Sequence, residues 1–161
     1  MISAAAIAIG SNLGDRLAHV QGAVRAIGEL ATTRVVALSS IIETEAMVSP
    51  GQPPGPAFLN AAVCIETGLQ PLALLGALLE IERTHGRDRR SPNSGHVVRW
   101  GARTLDLDLL WHGETVLATP ELTLPHPSLH LRRFVLEPLV QIAPGWVHPL
   151  LMRTPVEMLA R

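Results

Sequence analysis

The sequence predicts an α+β protein of ferredoxin-like type, in which an antiparallel sheet carries helices packed on one face. Strand-like and helix-like apolar patterns follow one another in the order β-α-β-β-α-β, which is the element order of that fold. At 161 residues and 47% hydrophobic composition, the chain can bury one core and is most simply a single domain, residues 1–161. Two turn-rich segments, 44–57 and 87–99, are long for such a domain, so we expect mobile loops over a site.

Each element has its own signal. Apolar runs predict strands at 2–9, 34–42, 58–66, 104–111 and 115–118. One helix is predicted at 16–29, and a second opens at Pro71 and ends at Gly86. Further helices are predicted at 134–142 and 154–160. The side chains expected to face the core are Leu17, Val20, Val24 and Ile27 in the first helix, and Leu72, Leu75, Leu79 and Ile81 in the second.

The charge of the chain restricts its possible partners. A net charge of −1 argues against a nucleic-acid-binding protein, which normally concentrates basic residues. All 13 basic residues are arginine, so the lysine with which a P-loop or a protein kinase holds phosphate is absent. Any phosphate chemistry must therefore depend on a metal ion and on arginine, whose planar fork of donors suits phosphate oxygens.

The sequence also indicates the cellular setting. One cysteine, Cys64, lies in the apolar run AAVCI and has no second cysteine with which to form a disulfide, which favours a reducing compartment. The initial MISAAAIAIG lacks the basic start of a signal peptide and is interpreted as the first strand. No stretch approaches the roughly 20 apolar residues that a membrane helix needs. We therefore expect a cytoplasmic protein with no membrane partner.

Two aspartates one residue apart, Asp106 and Asp108, are the most informative residues of the chain. Successive side chains of a strand alternate between its faces, so both carboxylates point one way while the flanking leucines, Leu105, Leu107 and Leu109, point the other. Two like charges about 7 Å apart repel one another, and a hard divalent cation bound to phosphate oxygens removes that repulsion. The pair predicts a magnesium–phosphate site, although a strand with an acidic outer face would give the same pattern.

Seven segments of the chain recur, in the same order, in a known enzyme family. They are AIGSNLGDR (8–16), SSIIETE (39–45), FLNAAV (58–63), IERTHGRDR (81–89), RWGARTLDLDLL (99–110), LPHPSLH (124–130) and RRFVLEPLVQIAP (132–144). Together they resemble the 6-hydroxymethyl-7,8-dihydropterin pyrophosphokinases of folate biosynthesis. Each segment alone is a weak signal, but seven in register over nearly the whole chain are very specific.

The resemblance implies transfer of pyrophosphate from ATP to the hydroxymethyl group of the pterin, with release of AMP. It also implies two Mg²⁺ ions bound by Asp106 and Asp108, so that catalysis is mainly positioning and electrostatics. Arg87 and Arg103 correspond to arginines that hold the phosphates as charge moves toward the leaving AMP. The other ATP contacts that the resemblance implies are Glu82, Arg89, Trp100, Leu109, Thr123, His126 and Arg132.

The second substrate of the family makes different demands. Pterin is a flat, polar heterocycle, so its site needs aromatic faces and amide-like groups at the ring edge. Phe58 and Phe134 correspond to the family's stacking rings, Asn60 to the amide that reads the pterin edge, and Thr44 to a residue of the pterin loop. ATP and the pterin are the expected partners, without nucleic acid, and the protein is expected to be a monomer.

Two other functions would use some of the same residues. A magnesium-dependent phosphohydrolase would use the aspartates and arginines, but it needs a base that activates water and it needs no pterin slot. A non-catalytic nucleotide-binding module would bind ATP and form no AMP when pterin is present. The chain also departs from the family at Ala46 and Ala102, where proline is usual, and both long loops look extended.

Overall fold

A five-stranded antiparallel sheet forms the centre of the computed structural model, which describes residues 1–45, 50–51, 53, 55–86 and 104–160. The sheet contains β1 (Ser3–Ser11), β2 (Thr33–Leu38), β3 (Ile42–Thr44), β4 (Phe58–Thr67) and β5 (Asp106–His112). A second small sheet contains β6 (Leu117–Ala118) and β7 (Thr123–Leu124). The helices are α1 (Arg16–Gly28), α2 (Pro71–Thr84), α3 (Arg133–Ile142) and α4 (Pro155–Leu159), with a 3-10 turn at Leu129–Leu131 before α3.

The predicted α+β class with an antiparallel sheet is confirmed. The strand order is β2-β4-β1-β5, and β3 pairs with β4 beyond the end of β2. The single strand expected at 34–42 is divided, because Ser39 leaves the regular ladder. Its hydroxyl accepts the N–H of Ala62 at 2.9 Å, while its own N–H donates to the Ala62 carbonyl at 3.0 Å. This change of pattern separates β2 from β3 and lets each pair with its own part of β4.

One face of the sheet is covered by α1 and α2, as predicted. Ile7 and Ile9 of β1 pack there against Val20 and Ile27 of α1, with all four side chains essentially inaccessible to water. The buried row of α2 differs from the predicted one and consists of Leu74, Leu78, Ile81 and Glu82. Leu72 and Leu79 are exposed instead, and so is Leu17 of α1, because the apolar residues of both helices extend beyond the face that meets the sheet.

The second face of the sheet is only partly free, because α3 and α4 cover a portion of it. Ala6 and Ala62 present small side chains on this face, so that Leu136 and Leu139 of α3 can approach closely. These residues form a second hydrophobic core, to which Trp111 also belongs. The Trp111 ring stacks on that of Trp146 with centroids 3.9 Å apart. The uncovered part of this face lies beside the first turn of α3 and is available for ligands.

Several residues named from the sequence lie outside the described ranges. These are Ala46 in the first long loop, and Arg87, Arg89, Trp100, Ala102 and Arg103 in and after the second. The expectation that the loops are mobile also concerns such residues and stays a prediction. None of the helices that the structure describes has both the length and the apolar content needed to span a bilayer.

Candidate active site

One pocket brings together most of the site residues predicted from the sequence. It lies on the second face of the sheet beside the first turn of α3 and has a volume of about 250 Å³. The predicted residues that line it are Thr44, Phe58, Asn60, Asp106, Asp108, His126, Arg132 and Phe134. Since these residues come from β3, β4, β5, the segment after β7 and α3, only the folded sheet can assemble them.

The two aspartates share the pocket because β5 alternates as its sequence predicts. Leu105, Leu107 and Leu109 are 0%, 5% and 3% exposed in the core beneath the sheet. Asp106 and Asp108 point to the opposite face and line the pocket. The arrangement concentrates two carboxylates at one end of a partly enclosed space.

Strand register sets the distance between the aspartates and Asn60, the polar residue at the other end of the pocket. Gly10 of β1 pairs with Asp106 on one side and with Asn60 on the other. Asp106 and Asn60 therefore lie two strand spacings apart, about 10 Å. The pocket thus has a carboxylate end on β5 and an amide end on β4, with a glycine between them.

Asp108 has a cationic neighbour in Arg132. The Arg132 Nη1 donates to Asp108 Oδ2 at 3.4 Å, a long hydrogen bond between oppositely charged groups. The same guanidinium lies 5.8 Å from the centre of the Phe134 ring. Arg132 therefore lies between Asp108 and the Phe134 ring, where its positive charge can also bind an anionic ligand.

His126 is the neutral neighbour of Asp108. Burial, then the positive charge of Arg132, lowers the pKa of His126 to about 4 against an opposing effect of Asp106, so the ring is uncharged at neutral pH. The Ser128 N–H donates to His126 Nδ1 at 3.1 Å, which assigns the ring proton to Nε2. Nε2 lies 3.9 Å from Asp108 Oδ1, so this neutral contact is not an ion pair.

The amide end of the pocket is held by a side-chain hydrogen bond. Asn60 is 6% exposed, and its Nδ2 donates to Thr44 Oγ1 at 2.6 Å. With the amide nitrogen turned to Thr44, its oxygen is directed to Gly10, where a Cβ would lie 3.2 Å from Oδ1. Phe58 of β4 and Phe134 of α3 add two aromatic rings to the lining of the pocket.

Glu82 lies beneath the carboxylate end and holds its strand. The residue is 1% exposed, and its Oε2 accepts the backbone N–H of Leu107 at 2.9 Å. Leu107 lies between the two aspartates, and β5 is the end strand of the sheet order. A buried carboxylate of α2 thus satisfies an amide on the outer side of β5, where the described residues form no further strand that could supply an acceptor.

Comparison with known proteins identifies the family. Residues 6–144 match the model of the 7,8-dihydro-6-hydroxymethylpterin-pyrophosphokinase family. The chain belongs to this family. It is 40% identical over 143 residues to the 2-amino-4-hydroxy-6-hydroxymethyldihydropteridine pyrophosphokinase of Haemophilus influenzae, covering 89% of this chain and 83% of the relative. The enzyme of the same name from Bacillus subtilis is 41% identical, with 88% and 79% covered.

Two solved structures with the same fold are longer proteins than this chain. A structure titled as HPPK-DHPS in complex with substrates superposes with a TM-score of 0.72 at 13% identity. A wild-type Plasmodium falciparum HPPK-DHPS with pteroate gives 0.71 at 13% identity. The chain is covered to 99% in both, but it spans only 43% and 42% of those chains. At this identity the likeness shows the pyrophosphokinase fold alone.

Three of the described residues predicted from the pyrophosphokinase family, Glu82, Leu109 and Thr123, do not line the pocket. The Leu109 side chain is buried in the core on the other face of β5. Thr123 is exposed on the short strand β7. Their roles in ATP binding, like those of Arg87, Arg89, Trp100 and Arg103 outside the described residues, stay predictions.

The pocket also contains residues that sequence reasoning missed. They are Ala8, Ile9, Gly10, Glu45, Ala61 and Val135. Gly10 had a usable signal, because it interrupts the apolar run of β1 and lies within the segment AIGSNLGDR (8–16), which recurs across the pyrophosphokinase family. The others are ordinary strand, loop or helix residues, and only the register of β1 and β4 and the docking of α3 reveal them.

Proposed function

We propose that the protein transfers pyrophosphate from ATP to the hydroxymethyl group of 6-hydroxymethyl-7,8-dihydropterin, giving AMP and the pterin diphosphate in folate biosynthesis. The observation that carries the proposal is one pocket lined by a carboxylate pair, two phenylalanine rings and an amide. These two ends suit two substrates of unlike chemistry, one a metal-bound polyphosphate and the other a flat heterocycle. Membership in the pyrophosphokinase family supports the same assignment.

The carboxylate end is proposed to hold two Mg²⁺ ions through Asp106 and Asp108. Within the described ranges, no group of three or more histidine, cysteine or acidic side chains could form an all-protein metal site. Magnesium typically uses one or two carboxylates and completes its octahedral shell with phosphate oxygens and water, so this donor set fits. When bound, the ions would neutralise charge on the triphosphate and polarise the transferred group.

Arg132 supplies the positive charge at this end of the pocket. Arg87 and Arg103 are proposed as further phosphate ligands. Arg132 already lies at the pocket, 3.4 Å from Asp108, and its remaining donors can reach an anion there. His126 contributes a neutral Nε2–H donor. The family resemblance also implies ATP contacts for Glu82, Arg89, Trp100, Leu109 and Thr123, and these stay predictions.

The aromatic end is proposed to bind the pterin between Phe58 and Phe134. Asn60 is fixed by Thr44, so its oxygen is presented in a single orientation to a ring edge. Because the amide is already oriented before the ligand binds, less conformational entropy is lost on binding. The hydroxymethyl group would then face the carboxylate end, about 10 Å away across β1.

We also propose that residues 1–161 act as one pyrophosphokinase domain, as a monomer in the cytoplasm. The cores on the two faces share a single sheet, which supports one folding unit. Cys64 is partly buried in the second core, and burial raises the pKa of its thiol, so the thiol is poorly suited to redox chemistry.

A phosphohydrolase is less well supported by the same pocket. It would need a base beside the bound phosphate, and the histidine nearest Asp108 has its free ring nitrogen occupied by the Ser128 N–H. The Nε2–H that remains is a donor, which suits phosphate binding rather than activation of water. The Phe58 and Phe134 slot would also have no use in hydrolysis.

One assay tests the proposed function. The protein is incubated with ATP, MgCl₂ and 6-hydroxymethyl-7,8-dihydropterin, and the nucleotides are separated by chromatography. The expected result is AMP in amounts equal to the pterin diphosphate, and none when pterin is omitted. Inorganic phosphate formed without pterin would indicate a phosphohydrolase. Binding of ATP with no AMP in the complete mixture would indicate a non-catalytic nucleotide-binding module.

Phe58→Ala should weaken pterin binding far more than ATP binding. A stacked ring contributes about 1 kcal/mol beyond the burial of its surface, so loss of this wall should raise the pterin dissociation constant about tenfold or more. Calorimetric titration with each substrate gives both constants. If the two constants rise together, or the pterin constant does not change, Phe58 is only part of the core.

Gly10→Ala should also act on the pterin end. Its Cβ would lie 3.2 Å from Asn60 Oδ1 and 3.6 Å from Phe58 Cδ1, so the amide has to move by a few tenths of an ångström. We expect the pterin dissociation constant to rise about fivefold, equivalent to about 1 kcal/mol. Gly76→Ala is the matched control, since a Cβ at this helical position meets nothing within 4 Å. An unchanged pterin constant for Gly10→Ala would show that the amide position is not critical.

A further inference from the structure

Arg16 connects α1 to both strands that carry the pterin end of the pocket. Its Nη1 donates to the Ala57 carbonyl at 2.8 Å, and its Nη2 donates to Glu43 Oε2 at 3.0 Å. Glu43 directly precedes Thr44, and Ala57 directly precedes Phe58. One guanidinium therefore holds the chain on both sides of the segment 45–56, next to two residues that line the pocket.

The strand end that Arg16 holds has few other restraints. β3 is only three residues long and lies at the edge of the sheet, and Thr44↔Phe58 is the last pair of its ladder with β4. Such short edge segments open at low free energy because few backbone hydrogen bonds must break together. Opening at this pair would move Thr44 away from Asn60, whose amide it orients through the 2.6 Å hydrogen bond.

We propose that Arg16 is a positioning residue for pterin binding, which closes the end of the β3–β4 ladder and thereby fixes Thr44, Asn60 and Phe58. The proposal rests on the proposed function of this pocket. Arg16 itself does not line the pocket. It acts through the two strands, and its loss should therefore affect pterin affinity while leaving the carboxylate end on β5 unchanged.

The two contacts explain why arginine is suited to this position. A planar fork can donate from two nitrogens at once to acceptors on separate strands, whereas lysine offers a single ammonium group. The Glu43 contact is a half-exposed ion pair, with side chains 32% and 59% exposed, so alone it contributes little. The charge-assisted bond to the part-buried Ala57 carbonyl is the stronger of the two.

The experiment compares Arg16→Ala, Arg16→Lys and Glu43→Ala with the wild type. Titration calorimetry gives the dissociation constant of a non-hydrolysable ATP analogue with MgCl₂, and then that of the pterin with the analogue saturating. We expect Arg16→Ala to raise the pterin constant about fivefold, with the analogue constant unchanged. Arg16→Lys should restore part of the affinity, and Glu43→Ala should give a smaller loss than Arg16→Ala.

Arg34→Ala is the matched control. It removes another arginine–glutamate pair of the same sheet, Arg34–Glu66 at 2.8 Å, whose residues do not line the pocket. This variant should bind pterin as the wild type does. A pterin constant for Arg16→Ala that equals the wild-type value, or a rise shared equally by the analogue, would overturn the positioning role.

Two further readouts keep the outcomes distinct. Urea denaturation shows whether each variant is folded at the titration temperature, and if Arg16→Ala is not, Arg16→Lys and Glu43→Ala decide the question. Normal pterin binding by both would then overturn the proposal. Failure of the wild type to bind pterin or to form AMP would instead refute the proposed function, because that result does not depend on Arg16.

Discussion

Replacement of either Asp106 or Asp108 by asparagine should reduce turnover by about a hundredfold or more while the fold is retained. Both carboxylates line the pocket, and each is proposed to hold a cation against the transferred phosphoryl groups. Asparagine has nearly the same shape but no charge, so the variant loses the metal ligand without leaving a cavity. The effect should appear in kcat, because the cation acts most strongly on the charge that develops in the transition state.

The measurement is steady-state AMP formation at saturating ATP and pterin over a range of Mg²⁺ concentrations. Glu114→Gln serves as the control, since it removes an exposed carboxylate just beyond the end of β5 and should leave turnover unchanged. Circular dichroism and urea denaturation establish that the asparagine variants are folded. Turnover near the wild-type value at high Mg²⁺ would show that the aspartates form only an acidic strand surface.

The aspartate pair was predictable because it depends on local geometry. A strand alternates its side chains whatever lies around it, and Leu105, Leu107 and Leu109 are buried as that rule requires. The order of strands and helices was predictable for the same reason, since each has its own period in the sequence.

Other features depend on contacts between distant parts of the chain and left no comparable signal. The apolar residues of α2 surround the helix, so the sequence could not show that the row from Leu74 to Ile81 faces the sheet while Leu72 faces water. The Arg16 contacts with Glu43 and Ala57 join residues 27 and 41 positions apart. Neither contact could be expected before the register of β3 and β4 was known.

The roles assigned from family resemblance divide in the same way. Phe58, Asn60 and Phe134 converge on one pocket, although any one of them would pass for an ordinary core or strand residue in the sequence. Leu109 shows the reverse, because its position within the motif suggested a ligand contact while its alternation in β5 places the side chain in the core. Motif position therefore predicts the region of the candidate site, and strand geometry determines which side chains line the pocket.

Glu82→Leu should lower both stability and turnover, because Glu82 supports the strand between the two aspartates. The substitution removes the acceptor of the Leu107 N–H, and an unsatisfied buried donor destabilises the fold by about 1–3 kcal/mol. Any shift of Leu107 also moves Asp106 and Asp108, so we expect turnover to fall about tenfold as the carboxylates lose their alignment.

Glu82→Gln is the matched variant, since its amide oxygen can still accept the Leu107 N–H within nearly the same volume. We expect it to retain more of the stability and turnover than Glu82→Leu, with the Michaelis constant for ATP close to that of the wild type. A direct ATP contact by Glu82, as the family resemblance implies, would instead raise that Michaelis constant in both variants. In Glu82→Leu the Leu107 hydrogen bond is lost. Full turnover by this variant, if it is folded but destabilised, would show that the site does not depend on that bond. Glu82 would then support the core without aligning the aspartates.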